Sequence, residues 1–249
     1  MSSVGLTSRP VLLEARGLVR RFGGVVAIDG FDFKLYEGEV LGLIGPNGAG
    51  KSTTFNLLTG FYRPTAGEIR FAGHSIGGMD PSRISRLGMV RTFQHESLIA
   101  DMSVYDNILI AVTVFVRGAV ARDQRVRETA LFMGLEGVLH EIAGSLPHGH
   151  QRMLGVAIGL ATRPKLLCLD EPLTGLDPTE VNSALEMIRR IRSEYGTSVL
   201  FVEHNMRAVM SLCDRVIVLD AGRKLAEGMP HEIARDPLVI KAYLGEEEE

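Results

Sequence analysis

Cysteine is scarce: there are two, Cys168 and Cys213, in 249 residues. They lie far apart, and Cys168 falls in the apolar run LLCLD, which places it in the interior rather than in a disulfide framework. A reducing compartment fits that usage. Excess charge of either sign is missing as well. A formal net charge of −3 offers no whole-surface attraction to phosphate backbones and argues against a nucleic-acid partner. No apolar run approaches a bilayer-crossing helix: the longest, ILIAVTVFV at 108–116, is about half the length required. The opening stretch MSSVGLTSRPVLLEARG holds no apolar block of signal-peptide type. There are no internal repeats and no low-complexity linker, so any membrane role has to come through partners.

With 45% hydrophobic and 23% charged residues, the chain can bury a sizeable core as one globular domain. FDFKLYEGEV (31–40) opens with strict alternation, the pattern of a half-buried antiparallel strand. VLGLIG (40–45), KLLCLD (165–170) and SVLFVEH (198–204) are short continuous apolar runs, the pattern of strands buried on both faces. KSTTFNLLTG (51–60) predicts a helix closed by Gly60, and residues 65–93 predict short strands broken at Gly73, Gly77 and Gly78. Helical patterns fill VYDNILIAVTVFV, RDQRVRETALFMGL and QRMLGVAIGLAT, so residues 95–163 are expected to form an inserted helical subdomain. The core is then 9–94 plus 164–249, within one domain over 9–249, with 1–8 and the acidic end 246–249 as flexible tails. DPTEVNSALEMIRRIRSEYG (177–196) predicts a helix capped by Asp177, with Pro178 in first position, Glu180 completing a capping box and Gly196 ending it. RVIVLDAGRKLAEG (215–228) predicts two strands around a turn. Buried strands alternating with helices predict an α/β fold with a parallel sheet.

GPNGAGKST starts at Gly45 and fits G-x-x-x-x-G-K-[ST] between a buried strand and a helix. Gly45, Pro46, Asn47, Gly48, Ala49 and Gly50 then form a loop whose N–H groups turn toward phosphate oxygens. Lys51 reaches the β- and γ-phosphates, Ser52 offers a hydroxyl to Mg²⁺, and Thr53 continues the helix whose N-terminus favours anions. LLCLDEP puts Asp170 at a strand end, suited to hold Mg²⁺ through water, and Glu171 beside it, suited to polarise the water that attacks the γ-phosphate. An acidic pair at a strand end is by itself as often merely solvated; behind a phosphate loop the catalytic reading prevails. His204 ends the next buried strand and is expected to orient that water. Gln94, in VRTFQ, offers an amide to Mg²⁺ or to the water, and Phe22, in VRRFGG, offers a flat face for adenine.

Taken in order, these residues resemble the ATP-binding subunit of ABC transporters. Phe22 matches the A-loop aromatic, 45–53 Walker A, Gln94 the Q-loop, 146–150 the signature, Asp170 and Glu171 Walker B, TGLD (174–177) with Asp177 the D-loop, and His204 the switch histidine. A P-loop kinase would account for Walker A but not for DEP, TGLD and His204 in this order. The resemblance implies a P-loop NTPase core of RecA type with an N-terminal antiparallel β subdomain, using ATP and Mg²⁺. RRFGGVVAIDGFDF, RTFQ, VEHNM and IKAYLGE narrow it to the ATPases of branched-chain amino acid importers, although the helical insert is short for that subgroup. The implied partners are a second, different ABC ATPase (or a second copy), two polytopic permease subunits and an extracytoplasmic solute-binding protein. The implied place is the cytoplasmic face of the inner membrane. An ATPase for lipid or lipopolysaccharide export is the alternative within the family.

The signature departs from the family pattern L-S-G-G-Q. Leu146 and Gly149 match; Pro147 replaces the serine, His148 a glycine and His150 the glutamine. In the family this stretch binds the γ-phosphate held by the other subunit, so its alteration bears on a partner's ATP. That favours a heterodimer with one strong and one weakened site, and leaves a slow regulatory ATPase as the homodimeric alternative. Pro147 is compatible with the first turn of a helix. His148 and His150, with His140, are too few and too loosely spaced for a metal site. A protonated His148 lending charge to phosphate is a further option.

Overall fold

Alternation in the N-terminal third produces the expected half-buried strand. The computed structural model describes residues 8–92 and 98–244, and begins with β1 (Val11–Phe22) and β2 (Val25–Tyr36). In β2, Phe31, Phe33 and Leu35 are buried while Asp32 and Lys34 face solvent. β1 pairs antiparallel with β2 and with β4 (Ala66–Phe71), and β4 pairs with β5 (His74–Ser75), giving a four-stranded sheet ordered β2-β1-β4-β5.

The continuous apolar runs form a second sheet. It contains β3 (Val40–Ile44), β6 (Met89–Thr92), β7 (Leu166–Asp170), β8 (Ser198–Val202), β9 (Arg215–Asp220) and β10 (Arg223–Gly228), ordered β10-β9-β3-β8-β7-β6. All its pairings are parallel except β9 with β10. Successive side chains go to opposite faces, so each run feeds two cores. Leu41, Leu43, Leu166, Cys168, Leu200 and Val202 pack toward the first sheet and the helix α1 (Lys51–Leu58). Val40, Leu167, Leu169, Val199 and Phe201 pack toward helices on the other side. Those helices are α3 (Val104–Phe115), α4 (Ala119–Phe132), α5 (His148–Ala161), α6 (Pro178–Tyr195) and α7 (Met206–Leu212). Two short helices, α8 (Pro230–Ile233) and α9 (Pro237–Leu244), end the described chain.

Local signals resolve as their chemistry predicts, with three differences. Asp177 Oδ1 accepts from the Thr179 and Glu180 N–H groups at 2.7 and 2.9 Å, and Glu180 answers from the Asp177 N–H at 3.0 Å, completing the capping box of α6. Residues 65–93 hold a helix as well as strands: α2 (Pro81–Leu87) is capped by Asp80 accepting from the Ser82 N–H at 2.8 Å, and ends at left-handed Gly88. With Ile84 as its one buried residue, α2 carries almost no helical periodicity in the sequence. α1 closes at Thr59, one residue before the expected Gly60. Pro147 precedes α5 as its N-cap rather than sitting in its first turn, and its carbonyl accepts from the Gln151 N–H at 3.1 Å.

Candidate functional site

The strands β3, β8, β7 and β6 run parallel and side by side, so the segments that leave them emerge along one edge of the sheet. Among the described residues these segments are the loop 45–50 after β3, Glu203 and His204 after β8, and Glu171 after β7. Gln94, expected to act here, lies outside the described residues.

The glycines of the loop are demanded by geometry. Gly45 has φ +152°, and a Cβ there would overlap the Leu219 carbonyl. Gly50 has φ +105°, and a Cβ would stand 2.7 Å from Ile28 Cδ1. The loop is thereby pressed against β2 and β9, and α1 opens with no side-chain cap, leaving first-turn N–H groups to meet an anion. A cavity of about 220 Å³ results, lined by Ala27, residues 47–53, Glu171 and His204. Lys51 is only 7% exposed. Its Nζ donates to the Gly45 and Pro46 carbonyls at 2.8 and 2.9 Å. Burial lowers its pKa, against the pull of Glu171 and Asp170.

Glu171 holds a left-handed backbone (φ +49°), fixed by its N–H donating to the Val202 carbonyl at 2.9 Å. For a non-glycine residue this conformation costs about 1–3 kcal/mol, the kind of strain found where a side chain must be aimed. Glu171 Oε1 is 2.7 Å from His204 Nε2, with both side chains partly open to the cavity mouth. Behind them Glu203, 3% exposed, accepts from the Leu173 N–H at 2.8 Å and the His204 N–H at 3.1 Å. One carboxylate thus ties the start of the TGLD segment to the histidine. Burial pushes the Glu203 pKa up, the N–H groups of Leu173, His204 and Asn205 oppose that, and Glu171 adds to the rise.

Asp170, 5% exposed, pairs with the Arg91 guanidinium at 2.7 Å, and Arg91 also donates to Asn56 Oδ1 of α1 at 2.6 Å. Asp170, Ser52 and the phosphates of a nucleotide are all hard oxygen donors, which suits a Mg²⁺ ion that keeps part of its water shell. Phe22 ends β1 and stands edge-on to Tyr62, with the Arg20 guanidinium 4.3 Å over its ring.

Leu146–His150 do not line this cavity. Leu146 is buried, Pro147, His148 and His150 are exposed, and His148 lies against the TGLD segment: a Cβ on Gly175 (φ +81°) would be 3.0 Å from His148 Cε1. A separate cleft of about 500 Å³ is lined by Arg91, Thr92, Val114, Phe115, Ile158 and neighbours. Asn107 is 3% exposed and committed to binding the backbone at Ile99 and Ser103.

Three site residues escape the sequence reading. Glu203 could have been found as a carboxylate closing an apolar strand. Arg91 gives no signal, because an arginine in VRTFQ looks the same buried or exposed. Asn56 gives no signal, because an amide on a helix looks like surface.

A sequence model described as ABC transporter matches residues 28–174, and one described as branched-chain amino acid ATP-binding cassette transporter matches 223–249. The chain is 44% identical to the high-affinity branched-chain amino acid transport ATP-binding protein BraF of Pseudomonas aeruginosa, over 96% of this chain and 99% of that protein. It is 34% identical to the lipopolysaccharide export system ATP-binding protein LptB of Acidithiobacillus ferridurans, over 95% and 98%. Its fold overlays a nucleotide-free ATP-binding cassette from an ABC transporter with a TM-score of 0.87, at 27% identity, covering 95% of this chain and all of that one. With the phosphate loop, the strained glutamate and the histidine on one sheet edge, the chain belongs to the ABC transporter family and is an ATPase of it.

Proposed function

We propose that the chain drives import of branched-chain amino acids or closely related small solutes by hydrolysing ATP at this sheet edge. The observation that carries the catalytic part is the Glu171–His204 contact at the mouth of the phosphate-loop cavity. Identity to BraF and the match over 223–249 support the solute.

In this reading the loop 45–50 and the first turn of α1 cradle the phosphates, and Phe22 stacks adenine once Arg20 has moved off its face. Lys51 exchanges its loop carbonyls for β- and γ-phosphate oxygens, a short swing because Nζ already lies within the loop. Ser52 and Asp170, with Gln94, would hold Mg²⁺, which when bound neutralises phosphate charge. Glu171 accepts a proton from the attacking water, and His204 Nε2, which meets the carboxylate while the cavity is open, turns to the γ-phosphate once nucleotide is in place. The helical segment 95–163 acts as a subdomain carrying the signature toward a partner's ATP. Asp177 and the TGLD segment lie beside it.

The partners in this proposal are a second, different ATPase, two polytopic permease subunits and an extracytoplasmic solute-binding protein, with the chain on the cytoplasmic face of the membrane. Among the described residues no helix is long and apolar enough to cross a bilayer. The cleft lined by Val114 and Phe115 is the surface offered to a permease helix.

The test is uptake of labelled leucine, isoleucine and valine by cells lacking this chain, complemented with wild type or with Glu171→Gln. Restoration by wild type alone is the expected result. Wild type restoring no amino acid uptake while Glu171→Gln stalls lipopolysaccharide export would overturn the solute and leave the ATPase.

A further inference from the structure

We propose that Arg91 is a positioning residue that occupies the Asp170 carboxylate until a hydrated divalent cation displaces it, and that its departure is felt in the cleft it lines with Val114 and Phe115. The inference rests on the ATPase reading above and adds a residue to it.

Arg91 is the third residue of the four in β6 and is 12% exposed on its side chain. One Nη donates to Asp170 at 2.7 Å and the other to Asn56 at 2.6 Å, so a single guanidinium bridges the helix after the phosphate loop and the strand that carries Asp170. The ring faces of Phe55 and Phe61 lie 5.5 and 5.8 Å from its central carbon, which gives the cation a second place to rest. The same residue lines the cleft with Thr92, Val114 and Phe115. A displacement at Asp170 therefore moves a group that is also part of the cleft wall. A cation arriving at Asp170 meets a like charge within hydrogen-bond range of the same oxygens, and the two compete for them. Lys51 is nearby but already spends its donors on the loop carbonyls.

A fluorophore on Ser85→Cys reports on the cleft wall, because both native cysteines are buried and leave the new thiol as the reactive one. The readout is emission on adding ADP with chelator, then on titrating Mg²⁺. Binding of ADP in chelator tests the nucleotide site by itself, so failure of the ATPase reading is seen separately. In the wild-type background Mg²⁺ is expected to change the emission. In Arg91→Met, ADP still binds and the Mg²⁺-dependent emission change is lost, while calorimetric titration of Mg²⁺ into the ADP complex shows a midpoint lower by on the order of tenfold. Should Arg91→Met not fold, Arg91→Lys serves: it keeps the charge but cannot span Asn56 and Asp170 together, so its Mg²⁺ midpoint falls between the two. An unchanged Mg²⁺ response in either variant, no response in wild type, or a demand for more Mg²⁺ when Arg91 is replaced would each overturn the proposal. The last outcome would make Arg91 a permanent brace of the carboxylate.

Discussion

Nε2 of His204 lies 2.7 Å from Oε1 of Glu171, across the gap between the ends of two neighbouring parallel strands. The contact needs no long-range packing to explain it. β7 and β8 are in register from Leu166–Ser198 to Asp170–Val202, and the residues that follow them are held at the same height. Glu171→Gln keeps an oxygen to accept from His204 and removes the base. Turnover is expected to fall by about 10²–10⁴-fold, with ADP affinity within about threefold of wild type. Steady-state phosphate release and ADP titration, with the transporter partners present, check both. Equal turnover in the two proteins rules out the base role.

Lys51 supplies a second expectation, in which binding and stability part company. Burial already disfavours its charge, and its two bonds go to carbonyls of the phosphate loop rather than to a carboxylate. Lys51→Met keeps the apolar stem and removes the desolvated charge. The melting temperature without nucleotide is therefore expected to hold or rise. ADP affinity is expected to drop by at least about tenfold, the scale of a charge-assisted bond to phosphate. A parallel loss of stability and binding would mean that Lys51 chiefly braces the loop.

The altered signature touches the TGLD segment inside one chain. A methyl on Gly175 meets His148 Cε1 at 3.0 Å and also forces a left-handed backbone on alanine. Gly175→Ala is expected to destabilise by about 1–2 kcal/mol for the backbone alone, plus the crowding at His148. The crowding is separable. In a His148→Ala background the same substitution should cost less, and a double-mutant cycle measures the difference. Additive effects would show that the ring simply swings away into solvent, and that the two motifs are uncoupled within the chain.

Much of this site was legible in the sequence because its pieces are local. The phosphate loop, the acidic strand end and the Asp177 capping box are each fixed by a few adjacent residues whose backbone demands are specific. Pairing of the apolar runs was legible because burial on both faces leaves no polar alternation. What stayed hidden is non-local. Arg91 and Asp170 are separated by 79 residues, and nothing in VRTFQ tells a buried arginine from a surface one. The cleft by Val114 and Phe115 joins residues from α2, β6, α3 and α5, which no single stretch of sequence displays.

Glu203 gives an expectation with a pH sign. Its carboxylate binds the Leu173 and His204 N–H groups, and burial holds its pKa above the ordinary value of 4.5. Between 4.5 and the raised value the folded protein keeps a proton that the unfolded chain has released, so this group's contribution to stability falls as pH rises through that window. Above the window the contribution is flat. Glu203→Gln cannot titrate, and one of its two terminal atoms becomes a donor facing a donor. At neutral pH the variant is expected to be less stable by about 1–3 kcal/mol, the cost of a buried N–H left without an acceptor. The gap in melting temperature between wild type and variant should then widen on acidification toward pH 4.5 and stay constant above the window. Thermal melts at several pH values give the gap directly. A gap that narrows on acidification would mean that the carboxylate is held ionised by its three N–H donors and that burial is not the dominant influence. Turnover adds an independent check, because loosening Leu173 and His204 together should slow hydrolysis while leaving ADP binding in chelator unchanged.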